Sequence, residues 1–395
     1  MPGLKIAVLV PDGAADLPLD SLSGRTPLEA ARIPNMDELA AAGAHGTAAT
    51  VPQGMPPGSD VANLALMGYD PVTHYGGRAP IEAANLGIEI PDGWTAFRCN
   101  LVVTDGERML DYSGGHIGQA EAAASMEALE AAMGDESTRF YTGKSYRSIL
   151  LLEGDYGEVR CTPPHDITGQ TIAGHLPRGK GAARVLELME KSRDVLGAAG
   201  APADMIWLWG QGGRMALEPF AGLYGVTGSV ISAVDLVCGI GRLAGLTPLS
   251  VPGATAYLDT DYAAKGRAAI EVLTREDFVF VHVEAPDEAS HMGDPAEKVM
   301  AIERFDEHVL GPVRAHLSSS GLPFRICVAP DHPTLISTRT HDGAPVPFAV
   351  TGEGIPSSAA KGFSEAEARK HGPALDEGWR LMGMLTDPSP WSAGR

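Results

Sequence analysis

The sequence predicts an α/β protein: a doubly wound core sheet carrying a second, inserted α/β domain. Three observations lead there. Apolar, β-rich runs at 4–10, 277–283 and 324–329 each give way to proline and an acidic residue, in Pro11-Asp12, Pro286-Asp287 and Pro330-Asp331. Such near-continuous apolar runs belong to parallel strands covered on both faces. Between the second and third runs, apolar Val299, Ile302, Phe305 and Val309 recur at helical spacing across 296–313. Strands alternating with helices make a doubly wound sheet, whose ligands collect at the strand C-termini. The third observation is a change of character in the middle of the chain, which is turn-rich with short strands. A chain of 395 residues exceeds what one core usually serves. We therefore expect a discontinuous core domain, 1–76 with 223–395, and an inserted domain over 77–222.

In chain order, the first strand ends at Pro11-Asp12-Gly13. Thr26-Pro27-Leu28-Glu29 reads as an N-cap with proline at the first helical position, and Ile33-Pro34 stops that helix early. A second helix begins at Pro34 and closes at Gly43. Pro56-Pro57-Gly58 then sets Ser59 where a further helix starts. Within the insert, 119–133 is an Ala/Glu/Met-rich helix and 146–152 a short strand, while Trp207 and Trp209 alternate along another strand as core or cleft lining. Asp387-Pro388-Ser389-Pro390 reads as a frayed tail.

Composition narrows the function classes. With 44% hydrophobic and 20% charged residues the chain is an ordinary globular one, not a disordered one. Its formal net charge of −20 offers no basic surface to nucleic acid or acidic membranes. An anionic substrate stays open, because bound cations and local arginines invert the field inside a site. No apolar run reaches membrane-spanning length. The N-terminus lacks the features of a secretory signal. Cys99, Cys161, Cys238 and Cys327 have no paired spacing and suit a reducing, cytoplasmic setting.

Chemistry-bearing residues gather at the expected strand ends. Asp12 follows the first strand; Asp287 and His291, four apart on one helical face, follow the second. Asp331 and His332 follow the third, and His341 stands nine residues beyond His332. Carboxylates and imidazoles without thiolates suit Mn²⁺, Zn²⁺ or a similar borderline cation. Ser59, at a helix start with free N–H groups, has the setting of a nucleophile toward phosphorus, activated by two nearby ions. Taken singly these residues have plain readings as turn, cap or surface-pair residues. Their joint position at one sheet edge is what points to a site.

With those residues in place, the chain resembles the archaeal-type cofactor-independent phosphoglycerate mutases of the alkaline phosphatase superfamily. The likeness spans roughly residues 4–350 and includes Val10-Pro11-Asp12-Gly13, Pro57-Gly58-Ser59-Asp60, Gly77-Arg78-Ala79-Pro80 and Asp259-Thr260-Asp261-Tyr262. It implies an alkaline-phosphatase-like core and two divalent ions, Mn²⁺ or Zn²⁺ first, with Mg²⁺ or Co²⁺ as further candidates. By that resemblance Asp12, Ser59, Asp331 and His332 hold one ion, and Ser59 becomes phosphorylated. Asp287, His291 and His341 hold the other. Arg78, Arg98 and Lys265 match basic positions of the family, Lys265 as a catalytic group. His165 and Asp166, in the insert, are an acid, base or substrate-orienting pair. Ser145-Tyr146-Arg147, with Cys161 to Ile167 and Trp207 to Gly212, is similar to a bacterial subgroup of proposed homoserine kinases, and Arg147 is taken as substrate-binding.

Phosphoryl transfer through a phosphoserine is the implied reaction, in the mutase form between 3- and 2-phosphoglycerate, with domain closure excluding water. Where the mutases carry arginines, this chain has Tyr112, Ser113 and Gly114, and Gln211 replaces another. Arginine is the preferred bidentate anion ligand, so phosphorylation of homoserine by the same serine and ions is the alternative. A phosphatase or phosphodiesterase, and a metal-binding regulatory protein without catalysis, are further readings. The expected partner is a small phosphorylated or hydroxylated metabolite; oligomeric state is left open.

Overall fold

The computed structural model describes residues 3–387; all but Asp387 of the tail expected at 387–390 lies outside them. The chain divides into two compact units, Met1–Tyr75 with Leu217–Arg395, and Gly76–Ala216. The return to the larger unit thus comes earlier than the expected 223. The reason is apolar: Phe220, in the short helix Phe220–Tyr224, packs its ring 4.6 Å from that of Phe278, a residue of the central sheet.

That sheet has eight strands. In spatial order they are Ala374–Leu375, Ala44–Ala48, Val346–Gly352, Phe324–Val328, Lys5–Pro11, Phe278–Val283, Gly228–Ile231 and Thr247–Leu249. The last five run parallel, while Val346–Gly352 is antiparallel to both its neighbours. Lys5–Pro11 lies at the centre, and all but its first residue are buried, as its apolar run requires. Register matters most here. Val10 pairs with His282, Pro11 with Val283, and Leu9 with Val328, so three neighbouring strands finish level. The residues that follow them emerge together.

One face of the sheet (Ala7, Leu9, Val279, Val281, Ile326, Val328) packs with Met36, Leu39, Val272, Phe305 and Val313 from four helical segments. The other meets Asp235–Leu243, whose Gly241 sits against Val230 so tightly that an added Cβ would come within 2.7 Å. Helices on both faces make the doubly wound core expected from the sequence.

The helix expected over 296–313 is longer and interrupted. Pro295–Phe305 continues through a π-helical turn, Asp306–Leu310, into Gly311–Ser319. Pro312 has no N–H for the carbonyl of His308 four residues back, and that carbonyl instead approaches Gly266. Asp306, buried at the turn, accepts hydrogen bonds from the backbone N–H of Asn35 (3.2 Å) and Met36 (2.7 Å) and so caps the helix Pro34–Ala42, whose own N-cap Ile33 has no suitable side chain.

The smaller unit is built on antiparallel strands: Met109–Asp111, Trp94–Thr104, Arg147–Glu153 and Thr138–Lys144, with Met205–Gly213 also pairing along Trp94–Thr104. Helices Gln119–Met133 and Ala182–Ala199 cover it around buried Trp207, Met126 and Leu188. Among the described residues no helix is long and apolar enough to cross a membrane.

Replacing Asp306 by alanine strips two helix-start N–H groups of their acceptor and is expected to cost about 2 kcal/mol of unfolding free energy. Denaturant titration of the variant checks this; an unchanged midpoint would mean that water satisfies those groups as well.

Candidate active site

In the larger unit the level strand ends bring Asp12, Asp331 and, one helix turn into Ala285–Met292, Asp287 into one buried cluster. Burial, then the Asp331 and Asp287 carboxylates, push the Asp12 carboxyl well above its ordinary range. Its Oδ1 is buried without a hydrogen-bond partner. Burial also works against charge on Asp331. The His332 and His282 side chains outweigh it and hold that carboxylate low. Gly13 N–H (3.1 Å) and His332 N–H (2.9 Å) donate to one Asp331 oxygen, Asn63 Nδ2 (2.8 Å) to the other.

Two groups of ligand-type atoms result. Asp12, His282 and Asp331 form one; Asp287, His332 and His341 form the other, with the atoms of each within 4.8 Å of one another. An unpartnered buried carboxylate oxygen among carboxylates and imidazoles fits a divalent cation. His291 joins the second group: its Nε2 lies 3.1 Å from Asp287 Oδ2 and 3.1 Å from His341 Nε2. The carbonyl of Arg339 stands 2.9 Å from its Nδ1. Hydrogen bonds from His291 and His341, with the charge of nearby imidazoles, overcome burial and hold the Asp287 carboxyl well below its usual value.

His332 stands between the two groups: it lies with Asp287 and His341, and its Nε2 is also 3.2 Å from Ser59 Oγ, 3.6 Å from Asp12 Oδ1 and 3.5 Å from Asp331 Oδ2, the residues with which the family resemblance places it. Thr334 steadies it from behind, its Oγ1 lying 3.2 Å from Nδ1 while donating to Asp287 Oδ1 at 2.5 Å. Ser59 itself is the first residue of helix Ser59–Leu66; Gly58 takes the capping position, so the serine hydroxyl is not consumed as a cap. Asn63, one turn on, donates to the Ser59 carbonyl at 2.9 Å.

Lys265, expected as a catalytic group, is engaged within the protein. It is wholly buried, with Nζ donating to Glu284 Oε2 (2.5 Å) and the His282 carbonyl (3.0 Å). A buried ammonium must be paired, and Glu284 takes it. Sequence reasoning missed Asn63, Thr334 and His282 as parts of this cluster. For Asn63 a signal existed, since it follows Ser59 by four on a helix.

The smaller unit holds a second cluster. The Arg98 guanidinium lies 4.3 Å from the Trp209 ring centre and Arg78 5.7 Å, while Arg98 Nε pairs with Glu82 at 2.9 Å. Antiparallel register sets Arg98 opposite Trp209. Burial, and repulsion from Arg78 and Arg147 against the pull of Glu82, bring the Arg98 guanidinium down to about 10. Arg147 stands 5.5 Å over Tyr146. His165 meets the edge of Trp209 at 5.2 Å and lies 3.6 Å from Asp166. Burial, with the charges of Arg78 and Arg98, outweighs Asp166 and lowers the His165 imidazolium. The ring is therefore neutral near pH 7. Gln211 donates to the Val159 carbonyl, so it does not stand in for an arginine.

A family model described as 2,3-bisphosphoglycerate-independent phosphoglycerate mutase matches residues 40–200. The chain is 49% identical to 2,3-bisphosphoglycerate-independent phosphoglycerate mutase 2 of Methanothermobacter thermautotrophicus, over 98% of each chain. It is 48% identical to the corresponding mutase of Methanosarcina barkeri, over 97% of this chain and 99% of that one. Among solved structures, a protein of Pyrococcus horikoshii matches with a TM-score of 0.79 and 29% identity, over 98% of each chain. The cofactor-independent phosphoglycerate mutase of Thermoplasma acidophilum shares the fold, with a TM-score of 0.66 at 24% identity over 97% of this chain and 98% of that one. The likeness to homoserine kinases has no counterpart among these relatives.

Two expectations follow from the geometry. His282 and His291 are each raised to about 9 from 6.5, His282 by Asp331 and Glu284 against burial, His291 chiefly by its bond to Asp287. In protein stripped of divalent ions, the stability they contribute is complete below 6.5 and lost as pH climbs through about 9. Melting temperatures of chelated protein should fall between about pH 6 and about pH 9.5, and a flat or rising profile would contradict the assignment. Gly13 has φ +64°, and an added Cβ would stand 2.7 Å from Asp287 Oδ1 and 2.9 Å from its Cα. Gly13→Ala should weaken divalent-ion binding by about tenfold or more through displaced Asp287, read by calorimetric titration.

Proposed function

The chain belongs to the 2,3-bisphosphoglycerate-independent phosphoglycerate mutases, and we infer that it interconverts 3-phosphoglycerate and 2-phosphoglycerate through a phosphoryl group carried in turn by Ser59. The observation that carries this reading is the Ser59 hydroxyl, free at a helix start and 3.2 Å from His332 amid two carboxylate–imidazole groups. Those groups would hold two divalent ions, Asp12 and Asp331 on one side, Asp287, His291 and His341 on the other, with His332 between. The donor chemistry favours Mn²⁺ or Zn²⁺. When bound, the ions supply positive charge that acidifies a hydroxyl and stabilises phosphoryl oxygens.

In the first half-reaction Ser59 Oγ attacks the phosphorus of 3-phosphoglycerate, the bond from phosphorus to the C3 oxygen breaks, and glycerate is left beside phosphoserine. In the second, the C2 hydroxyl attacks the phosphoserine phosphorus and the serine oxygen leaves. At the start of Ser59–Leu66 the N–H groups ahead of Val61, whose own N–H donates to Asp60 Oδ1, would receive phosphoryl oxygens. Arg78, Arg98 and Arg147 of the smaller unit recognise the substrate carboxylate and phosphate. Stacking on Trp209 holds the two nearest guanidinium planes in place. His165, kept neutral, takes and returns the proton of a glycerate hydroxyl, with Asp166 beside it. The 48–49% identity to phosphoglycerate mutases favours phosphoglycerate over homoserine despite the arginines lacking at Tyr112 to Gly114. Free Cys99, Cys161, Cys238 and Cys327 suit a cytoplasmic enzyme.

Phosphorus NMR of manganese-loaded protein with 3-phosphoglycerate should show 2-phosphoglycerate appearing. Ser59→Ala should keep the fold yet lose turnover by about three orders of magnitude or more. No interconversion by metal-replete protein would return the weight to homoserine; turnover by the alanine variant would remove Ser59 as the phosphoryl carrier.

A further inference from the structure

His282 occupies the central sheet, fully buried and paired with Val10. An imidazole in such a place needs a use for both nitrogens. Its Nε2 lies 3.3 Å from Asp12 Oδ2 and 3.8 Å from Asp331 Oδ2. Donors sharing one cation at about 2.0–2.3 Å stand about 3–4 Å apart, so the separations match a common ion. On the far side, Nδ1 lies 3.3 Å from Glu284 Oε1 and 3.4 Å from Ser232 Oγ.

Glu284 is itself fixed. Ser232 Oγ and Ala233 N–H each donate to its Oε1 at 3.0 Å, and Lys265 holds Oε2. A carboxylate fixed in this way behind Nδ1 accepts from Nδ1–H and so selects the tautomer that leaves the Nε2 lone pair facing Asp12 and Asp331. Burying a Lys–Glu pair is costly, and packing an imidazole against aliphatic neighbours requires no such pair. The orphaned Asp12 Oδ1 is a separate sign that a positive centre belongs there.

We propose that His282 is an imidazole ligand of the cation held by Asp12 and Asp331, with Glu284 and Lys265 as positioning residues that fix its tautomer and orientation. The proposal rests on the two-ion reading above. It gives Lys265 a role through Glu284 and His282, and no contact with substrate.

The direct test is a crystal structure of wild-type protein grown with Mn²⁺, using the manganese anomalous signal. The expected peak lies about 2.0–2.4 Å from His282 Nε2 and from the Asp12 and Asp331 carboxylates. A peak on those two aspartates but more than about 3 Å from Nε2 overturns this inference and leaves the two-ion reading standing. Absence of any peak overturns both. In solution, His282→Gln should weaken one of the two Mn²⁺ ions by about 100-fold and Glu284→Gln the same ion by about tenfold, the other ion staying within about threefold. A folded His282→Gln protein that takes up both ions with wild-type affinity overturns the assignment.

Discussion

Asp12, Asp287 and Asp331 are taken out of water at the ends of adjoining strands, where a carboxylate is costly unless something positive or hydrogen-bonding surrounds it. Much of the larger unit answers to that constraint. Gly13 turns in the left-handed region so that its N–H reaches Asp331 and no side chain presses on Asp287. Asn63, Thr334, His282 and His332 place donors around the same oxygens. The parallel register that ends three strands level creates the crowding, and the helices on both faces exclude the water that would have relieved it. A phosphoryl-transfer site gains from this: groups already held in a dry setting need little rearrangement when charge develops on a substrate.

The smaller unit meets the opposite difficulty, since Arg78, Arg98 and Arg147 stand close with Glu82 to balance them. Stacking on Trp209 and Tyr146 helps to hold the guanidinium planes. Trp209 is itself anchored through its Nε1, which donates to Asn100 at 3.0 Å. Guanidinium groups held in this way would lose little freedom on meeting an anion.

The parts of this arrangement that were legible in the sequence are those encoded locally. A buried strand writes itself as an apolar run, and Pro-Asp-Gly after it marks both the strand end and Asp12. Pro-Pro-Gly before Ser59 announces a helix start. His282 was hidden because it sits inside such a run, and only the pairing with Val10 reveals that it neighbours Asp12. The pairing of Lys265 with Glu284, nineteen residues on, is likewise invisible along the sequence. The π-helical turn depends on Pro312 and on space beside Gly266, and the return to the larger unit on where Phe220 packs. None of these is a property of neighbouring residues. The allocation of His332 likewise follows from where His341 folds back, through the two-residue strand Thr340–His341 pairing with Thr334–Leu335.

The discontinuity of the larger unit has a consequence for how the chain comes to be folded. Lys5–Pro11 is made well before its partners on either side, Phe278–Val283 and Phe324–Val328, and the whole smaller unit is synthesised in between. Contacts so distant along the chain form slowly, because a long loop must close before they return any stability. The smaller unit, continuous in sequence, can complete its own core as it leaves the ribosome. The first strand meanwhile waits as an unpaired apolar segment exposed to other chains, which makes it the point where aggregation competes with folding during synthesis.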